Sequence, residues 1–268
     1  MVCVCVCVCV CVCVCVYVAV TASPCVYVDV TASLCVYVAV TVSSPCVYVA
    51  VTASTCVYVA VAVTVSSPCV YVAVTVISPC VYVAVTVSSP CVYVAVTVIS
   101  PCVYVAATAS LCVYVAVTAS LCVYVAVTAS PCVYVAVTAS LCVYMAVTVS
   151  SPCFYMAVTA SSCVYVAVTA SPCVYVAVTV SSPCVYVAVT ANLCVYVTVS
   201  ASLCVYVVVT VSSPCVYVAV TASLCVYVAV TASLCAYVAM TSSLCVYVAL
   251  TVSSPCTSVS VRAIVTDL

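Results

Sequence analysis

Apolar and more polar positions alternate along almost the whole chain with a period of two. In the unit Cys25–Thr31, Val takes every second place, and Cys, Tyr, Asp and Thr take the places between. Successive side chains of a β-strand point to opposite faces. Val, Tyr and Thr favour strands, and no stripe with the 3.6-residue period of a helix competes. The pattern predicts a seven-residue strand with one face made of Val.

This strand unit recurs in tandem from Cys25 to Cys256. Each copy reads Cys-Val-Tyr-Val-Ala-Val-Thr and ends in a tail of three or four residues, rich in Ser and Pro, which is turn chemistry. Successive Cys are ten residues apart 13 times, eleven apart 8 times and thirteen apart once. The eleventh residue always lies in the tail, where it leaves the strand faces unchanged. The thirteen-residue unit carries an extra Val61-Ala62 pair, which we place inside its strand because a dipeptide preserves the alternation.

Three regions follow from this organisation. Residues 1–24 are an apolar Val/Cys run, which we expect to be a signal-like or membrane segment because residues 2–20 are uninterruptedly apolar. Residues 25–256 are the tandem β-repeat array. Residues 257–268 form a C-terminal tail that leaves the repeat.

Two all-β architectures fit the repeat. The first is an antiparallel meander, open or closed into a barrel, in which Tyr27 faces Ala39 so that a large side chain packs against a small one. The second is a parallel β-solenoid with two units in each coil of about 21 residues, in which identical residues stack as ladders. We favour the meander, with the solenoid as the alternative. The absence of Gly removes the commonest two-residue hairpins but leaves longer loops open.

Cysteine distinguishes the two architectures. In the meander, Cys25 and Cys46 lie two strands apart, roughly 9–10 Å from each other, which is beyond the reach of a disulfide. In the solenoid they stack at about 4.8 Å and are within reach. A disulfide of the Cys25–Cys46 type therefore argues against the meander.

The Val/Cys run also raises the question of metal binding. Its repeated Cys-Val-Cys spacing resembles that of metallothioneins, whose thiolates hold metal clusters. Unlike them, the chain has a single basic residue, Arg262, and abounds in β-branched residues. In a strand the seven Cys from Cys3 to Cys15 lie in one line about 6.8 Å apart and cannot surround one ion. We expect no cofactor and no metal site, and keep a thiol-rich metal binder as a minor alternative.

Charge and composition exclude most other functions. The chain is 72% hydrophobic, and its charged residues are Asp29, Arg262 and Asp267. Without a basic patch we expect no nucleic-acid binding, and without His or Lys no Cys has a base to activate it. The spacing does not favour pairing of Asp29 with Asp267 as catalytic carboxylates. We expect no enzyme, no catalytic or binding residue and no small-molecule substrate.

A soluble monomer is unfavourable for so apolar and uncharged a chain. We expect self-association or a membrane as partner, an aggregation-prone character, and a membrane-associated or extracellular location if the protein is expressed.

The nucleotide sequence offers a different origin for the pattern. A GTGTGT array encodes alternating Val and Cys, as in residues 2–16, and a decayed copy encodes Cys-Val-Tyr-Val-Ala-Val. Our leading hypothesis is therefore a low-complexity tandem-repeat protein with no dedicated biochemical activity, arising as a translated minisatellite. The alternative is a structural or self-assembling β-repeat protein at a membrane or outside the cell.

Overall fold

The fold comes from a computed structural model, which describes most of the chain. The described residues are 6–12, 16–22, 26–32, 36–42, 46–63, 69–77, 80–87, 91–99, 102–109, 112–129, 132–150, 153–170, 173–181, 184–212, 215–233, 235–242, 245–253 and 256–263. They divide into two compact units, Met1–Val137 and Thr138–Leu268.

The described residues of the first unit form a series of short strands. The strands are β1 (Val6–Val12), β2 (Val16–Ala22), β3 (Val26–Ala32), β4 (Val36–Val42), β5 (Cys46–Ala53), β6 (Val57–Val63), β7 (Cys69–Val76), β8 (Cys80–Val87), β9 (Cys91–Val98), β10 (Cys102–Ala109), β11 (Cys112–Ala119), β12 (Cys122–Ala129) and β13 (Cys132–Ala139). The boundary between the units falls within β13.

The second unit continues the same pattern. Its strands are β14 (Cys142–Val149), β15 (Cys153–Ala160), β16 (Cys163–Ala170), β17 (Cys173–Val180), β18 (Cys184–Ala191), β19 (Cys194–Ser200), β20 (Cys204–Val211), β21 (Cys215–Thr221), β22 (Cys225–Ala232), β23 (Cys235–Ser242), β24 (Cys245–Val252) and β25 (Cys256–Ala263).

In each unit the strands sort into two sheets by parity. Odd-numbered strands neighbour odd-numbered strands in chain order, and even-numbered strands neighbour even-numbered ones. All the strand pairs described are parallel, and identical residues lie side by side: Cys163 is in register with Cys184, and Tyr165 with Tyr186. Two successive sequence repeats, one strand in each sheet, therefore make one coil of a parallel β-solenoid.

Alternation of the side chains builds the core of each unit. The Val positions point inward and are almost fully buried, as shown by Val49, Val176 and Val207, each 0% exposed. Cys, Tyr, Ala and Thr point outward. Each sheet has one face of inward Val side chains, and the two Val faces pack against each other. Burial of each Val contributes about 1.5–3 kcal/mol to stability.

Described turn residues also form hydrogen bonds between successive coils. In the second unit the amide of Ser212 donates to the carbonyl of Ala191, and the Ser233 hydroxyl donates to the carbonyl of Ser212 at 2.8 Å, one coil away. Among the described residues no backbone φ is positive. The tight hairpins that require positive φ are thus absent there, as expected of a chain without Gly.

The expected antiparallel meander or closed barrel is wrong, and the parallel β-solenoid named as the alternative is the observed fold. The proposed pairing of Tyr27 with Ala39 is replaced by stacking of Tyr27 on Tyr48, with ring centroids 4.8 Å apart. The physical reason is coverage of the Val face. A single meandering sheet leaves that face without a partner, whereas alternating two sheets lets each Val face cover the other.

The ends of the predicted strands change. Most strands extend one residue into the tail, because the residue after Thr is again small and apolar and points inward, as Ala32 and Val180 do. The Val61-Ala62 pair lies within β6, where Val61 and Ala62 are in register with Val40 and Thr41. Residues 64–68, which complete this repeat, are outside the described part of the chain.

The three regions predicted from the sequence can be located on this fold. In the run 1–24, residues 6–12 and 16–22 form β1 and β2, which pair with β3 and β4 of the array. In the tail 257–268, residues up to Ala263 belong to β25, which pairs with β23. Within the described residues no helix is long and apolar enough to cross a membrane.

Candidate functional site

The outward faces carry columns of identical side chains that run across the strands. In the even-numbered sheet of the second unit, the cysteine column consists of Cys142, Cys163, Cys184, Cys204, Cys225 and Cys245. The tyrosine column of the same sheet lies two residues further along each strand and consists of Tyr144, Tyr165, Tyr186, Tyr206, Tyr227 and Tyr247. Both columns follow from parallel, in-register pairing of a repeated sequence.

The tyrosine rings stack face to face along this column. The centroids of Tyr186 and Tyr206 are 5.0 Å apart with planes 7° apart. Those of Tyr206 and Tyr227 are 4.4 Å and 3° apart. Tyr144 and Tyr165 depart from this, at 5.8 Å with a 30° tilt. From Tyr165 onward the column is therefore a regular ladder of phenol rings.

A groove of about 610 Å³ runs between the cysteine and tyrosine columns of this sheet. Its walls are the side chains of the two columns, and the Val between them completes the lining, as Val185 and Val205 do. Since these Val side chains are 2% exposed, the floor is mainly backbone. The groove is thus elongated across the strands, largely apolar and edged by thiols and phenols.

One phenol and one thiol of these columns have a raised pKa. The pKa of the Tyr206 phenol is raised by desolvation, and then by its neighbours Tyr227 and Tyr186. The pKa of the Cys163 thiol is raised by burial, then by the adjacent Cys142 and Cys184. Desolvation and repulsion by ionised neighbours thus favour the neutral forms of Tyr206 and Cys163.

One thiol in the odd-numbered sheet of each unit also has a raised pKa. Burial raises the pKa of Cys112 in the first unit, with further contributions from Cys132 and Cys91. Burial also raises the pKa of Cys194 in the second unit, with contributions from Cys173 and Cys215. A raised pKa lowers the fraction of thiolate at neutral pH, so Cys112 and Cys194 are weaker nucleophiles there than ordinary thiols.

Asp29 is not among the residues that line the groove. Asp29 faces outward in β3, in register with Cys9 and Ala50. Asp267 is outside the described residues, so its pairing with Asp29 stays untested. Arg262 is in β25, in register with Thr241. The part of the chain that the structure describes holds no group of three or more His, Cys, Asp or Glu side chains that could bind a metal.

Sequence reasoning assigned no site residues and missed the groove. The signal was present in the repeat itself, because Cys and Tyr stand two residues apart in nearly every unit and must form adjacent columns once the strands are parallel. The favoured meander places Tyr beside Ala, so it does not predict adjacent columns of Cys and Tyr.

Neither the sequence nor the fold matches a known family model, a curated protein or a solved structure. The chain is a tandem-repeat β-solenoid, and its own geometry is the basis for assigning a role.

Proposed function

We propose that the chain is a structural, non-enzymatic β-solenoid that self-associates through the tyrosine column of the even-numbered sheet in its second unit. The observation that carries the proposal is the regular stack from Tyr165 to Tyr247, where ring planes differ by at most 7°. Such a column offers a flat aromatic surface rather than a pocket built around one substrate.

A second copy of the chain is the occupant that fits this surface. Its tyrosine column has the same spacing, so the two columns match over their whole length, as in dry interfaces between paired sheets. Residues 138–252 include no charged side chain, and so no charge repulsion opposes the contact. The outward face is made of Cys, Tyr, Ala and Thr, while the Val side chains that suit lipid are buried.

Charges placed in this column are expected to weaken self-association. Introducing Tyr165→Lys and Tyr206→Lys together puts two ammonium groups on the proposed contact face. We expect the dissociation constant of the self-associated form, measured by sedimentation over a concentration series, to rise by at least about tenfold, or about 1.4 kcal/mol.

The matched control is Tyr175→Lys with Tyr217→Lys, which adds the same charge to the odd-numbered sheet. Tyr175 and Tyr217 stack less regularly with Tyr196 between them, their planes lying 14° and 18° from its own. An equal effect of both pairs, or no effect of either, contradicts the assignment of the contact. Binding to lipid vesicles by a chain that stays monomeric contradicts self-association itself.

Departures from the repeat consensus support a selected protein over a translated minisatellite. Inward positions that depart from Val remain apolar in almost every described case: Ala107, Met145, Phe154, Met156, Ala236, Met240 and Leu250. The buried exception, Ser242, donates its hydroxyl to the carbonyl of Leu224 at 2.9 Å. The acidic departure, Asp29, points outward. Single-base changes in Val codons also give Asp, Glu and Gly, which are missing from these inward positions.

The two origins predict different variation among related genes. If the solenoid is selected, replacement changes are expected to be rarer than synonymous changes at inward Val codons and more frequent at outward Ala codons. The measurement is the ratio of replacement to synonymous changes, counted separately for the two faces in aligned coding sequences from close relatives. Equal ratios on both faces, together with frequent frameshifts, would leave the translated minisatellite as the correct origin.

A further inference from the structure

In the odd-numbered sheet of the second unit, successive strands from β17 to β23 each place a Cys at the same register position, which forms a cysteine column. Cys173 lies in register with Cys194, Cys194 with Cys215, and Cys215 with Cys235. The column belongs to the outer face, and Cys173, Cys194 and Cys215 are exposed. Each interior member of the column therefore has one thiol on either side and solvent above it.

Spacing restricts which of these thiols can be joined. Neighbouring parallel strands lie about 4.8 Å apart, inside the range of about 4.4–6.8 Å between Cα atoms that a disulfide requires. Cysteines two strands apart in one sheet are about twice as far from each other. The two sheets are about 10 Å apart, and their Cys-bearing outer faces point in opposite directions. The Cys204 thiol, on the even-numbered sheet, is thus out of reach of Cys194 and Cys215, although it lies between them in sequence.

Neighbouring thiols of this column interact. The pKa of the Cys194 thiol is raised first by burial, then by the charges of Cys173 and Cys215 and by hydrogen bonding with their side chains. Cys194 therefore has an interacting thiol on each side.

We propose that each cysteine column is a redox-sensitive staple, in which a small-molecule disulfide oxidises any thiol into a disulfide with either of its two same-sheet neighbours, joining successive coils of the solenoid.

The reaction balances with the oxidant as the acceptor of two electrons. A column thiolate attacks one sulfur of the small disulfide, which forms a mixed disulfide and releases one small thiolate. The neighbouring column thiolate then attacks the protein-side sulfur and releases the second small thiolate. Two protein thiols are oxidised, one small disulfide is reduced to two thiols, and the two protons pass to solvent or to the departing thiolates.

Distinctive repeats allow the pairing to be read unambiguously. Chymotryptic cleavage after Tyr gives the peptides 187–196, 197–206, 207–217 and 228–237, each with a sequence found once in the chain. They carry Cys194, Cys204, Cys215 and Cys235 respectively. The full chain is treated with oxidised glutathione, acid-quenched and alkylated, and the linked peptides are identified by mass spectrometry.

Links Cys194–Cys215 and Cys215–Cys235 are expected, each at least about tenfold more abundant than Cys194–Cys204 or Cys204–Cys215. Comparable amounts of same-sheet and opposite-sheet links overturn the proposal, and so does oxidation that stops at glutathione adducts. Because the unsubstituted chain is used, no outcome depends on whether a variant folds.

Two variants then test the choice between neighbours. In Cys194→Ser, Cys215 keeps one neighbour, and the Cys215–Cys235 link is expected to rise up to about twofold because its competitor is gone. In the control Cys204→Ser, which lies on the opposite sheet, the pattern at Cys215 is expected to stay unchanged. An unchanged Cys215–Cys235 yield in Cys194→Ser shows that Cys215 has a fixed partner and overturns the two-neighbour model.

The rate of disulfide formation is expected to rise with pH, because the attacking species is the thiolate. For Cys194 the pKa of the thiol is raised by burial and then by Cys173 and Cys215. The titratable groups around Cys194 are the thiols of Cys173 and Cys215 and the phenols of Tyr175, Tyr196 and Tyr217. Between about pH 7 and about pH 9 the initial rate of Cys194–Cys215 formation is expected to increase at least about tenfold. A rate independent of pH over this range contradicts attack by a column thiolate.

Discussion

Replacing Val176 with Asp is expected to unfold the coils around β17, whereas replacing its neighbour Ala177 with Asp leaves them folded. Val176 is 0% exposed at the centre of the core face, so the substitution gives up about 1.5–3 kcal/mol of apolar burial. It also places a carboxylate among Val side chains with no partner, which costs several kcal/mol more or forces protonation. We expect a loss of about 4 kcal/mol or more in the free energy of unfolding.

The control is Ala177→Asp, which repeats an outward Asp that the chain already has at Asp29. Ala177 occupies the outward position that Asp fills at Asp29, so Ala177→Asp is expected to cost less than about 1 kcal/mol. Hydrogen exchange followed in the peptides 156–165 and 187–196 reports on β15, β16, β18 and β19. Loss of protection in Val176→Asp alone supports the assigned faces. Equal loss in both variants would mean that inward and outward positions are assigned wrongly around β17.

The sequence predicted the strands and their faces because both are local properties. Alternation of Val with Cys, Tyr, Ala and Thr determines which side chains share a face, whatever the neighbouring strand is. It does not determine which strand comes next. Antiparallel neighbours place Tyr beside Ala, and parallel neighbours place Tyr beside Tyr. The choice depends on how the Val face is covered. That involves strands about 20 residues apart, so it cannot be predicted from the sequence of a single repeat.

The candidate groove shows the same limit. Cys and Tyr stand two residues apart in the unit, so adjacency of their columns follows only after parallel register is known. The sequence did give the conditional result that stacked coils bring Cys residues of the Cys25–Cys46 type within disulfide range. Cys25 is outside the described residues, but the equivalent pair Cys46 and Cys69 is in register. The thiol column was therefore predictable as a consequence of the solenoid, and the groove beside it was not.

Inserting one residue into a strand is expected to be far more damaging than inserting one into a turn. An Ala placed between Val176 and Ala177 reverses the facing of every residue that follows in β17. Val178 and Val180 would turn outward, losing about 1.5–3 kcal/mol of burial each, and the Thr179 hydroxyl would turn into the core. A bulge can absorb part of the strain by leaving the extra residue unpaired. We expect a net loss of about 3 kcal/mol or more in the free energy of unfolding, measured by denaturant titration.

The matched insertion is a Ser between Asn192 and Leu193, in the turn joining β18 to β19. It changes a ten-residue unit into an eleven-residue unit, a length that already occurs 8 times in the array. The side chains of both strands keep their faces. We expect a cost below about 1 kcal/mol, because one more residue adds little to the entropic cost of closing the loop. The ratio of the two costs measures how strictly the core depends on strand facing. Similar costs would mean that the turns, through the hydrogen bonds that stack them, hold the coils together as strongly as the Val core does.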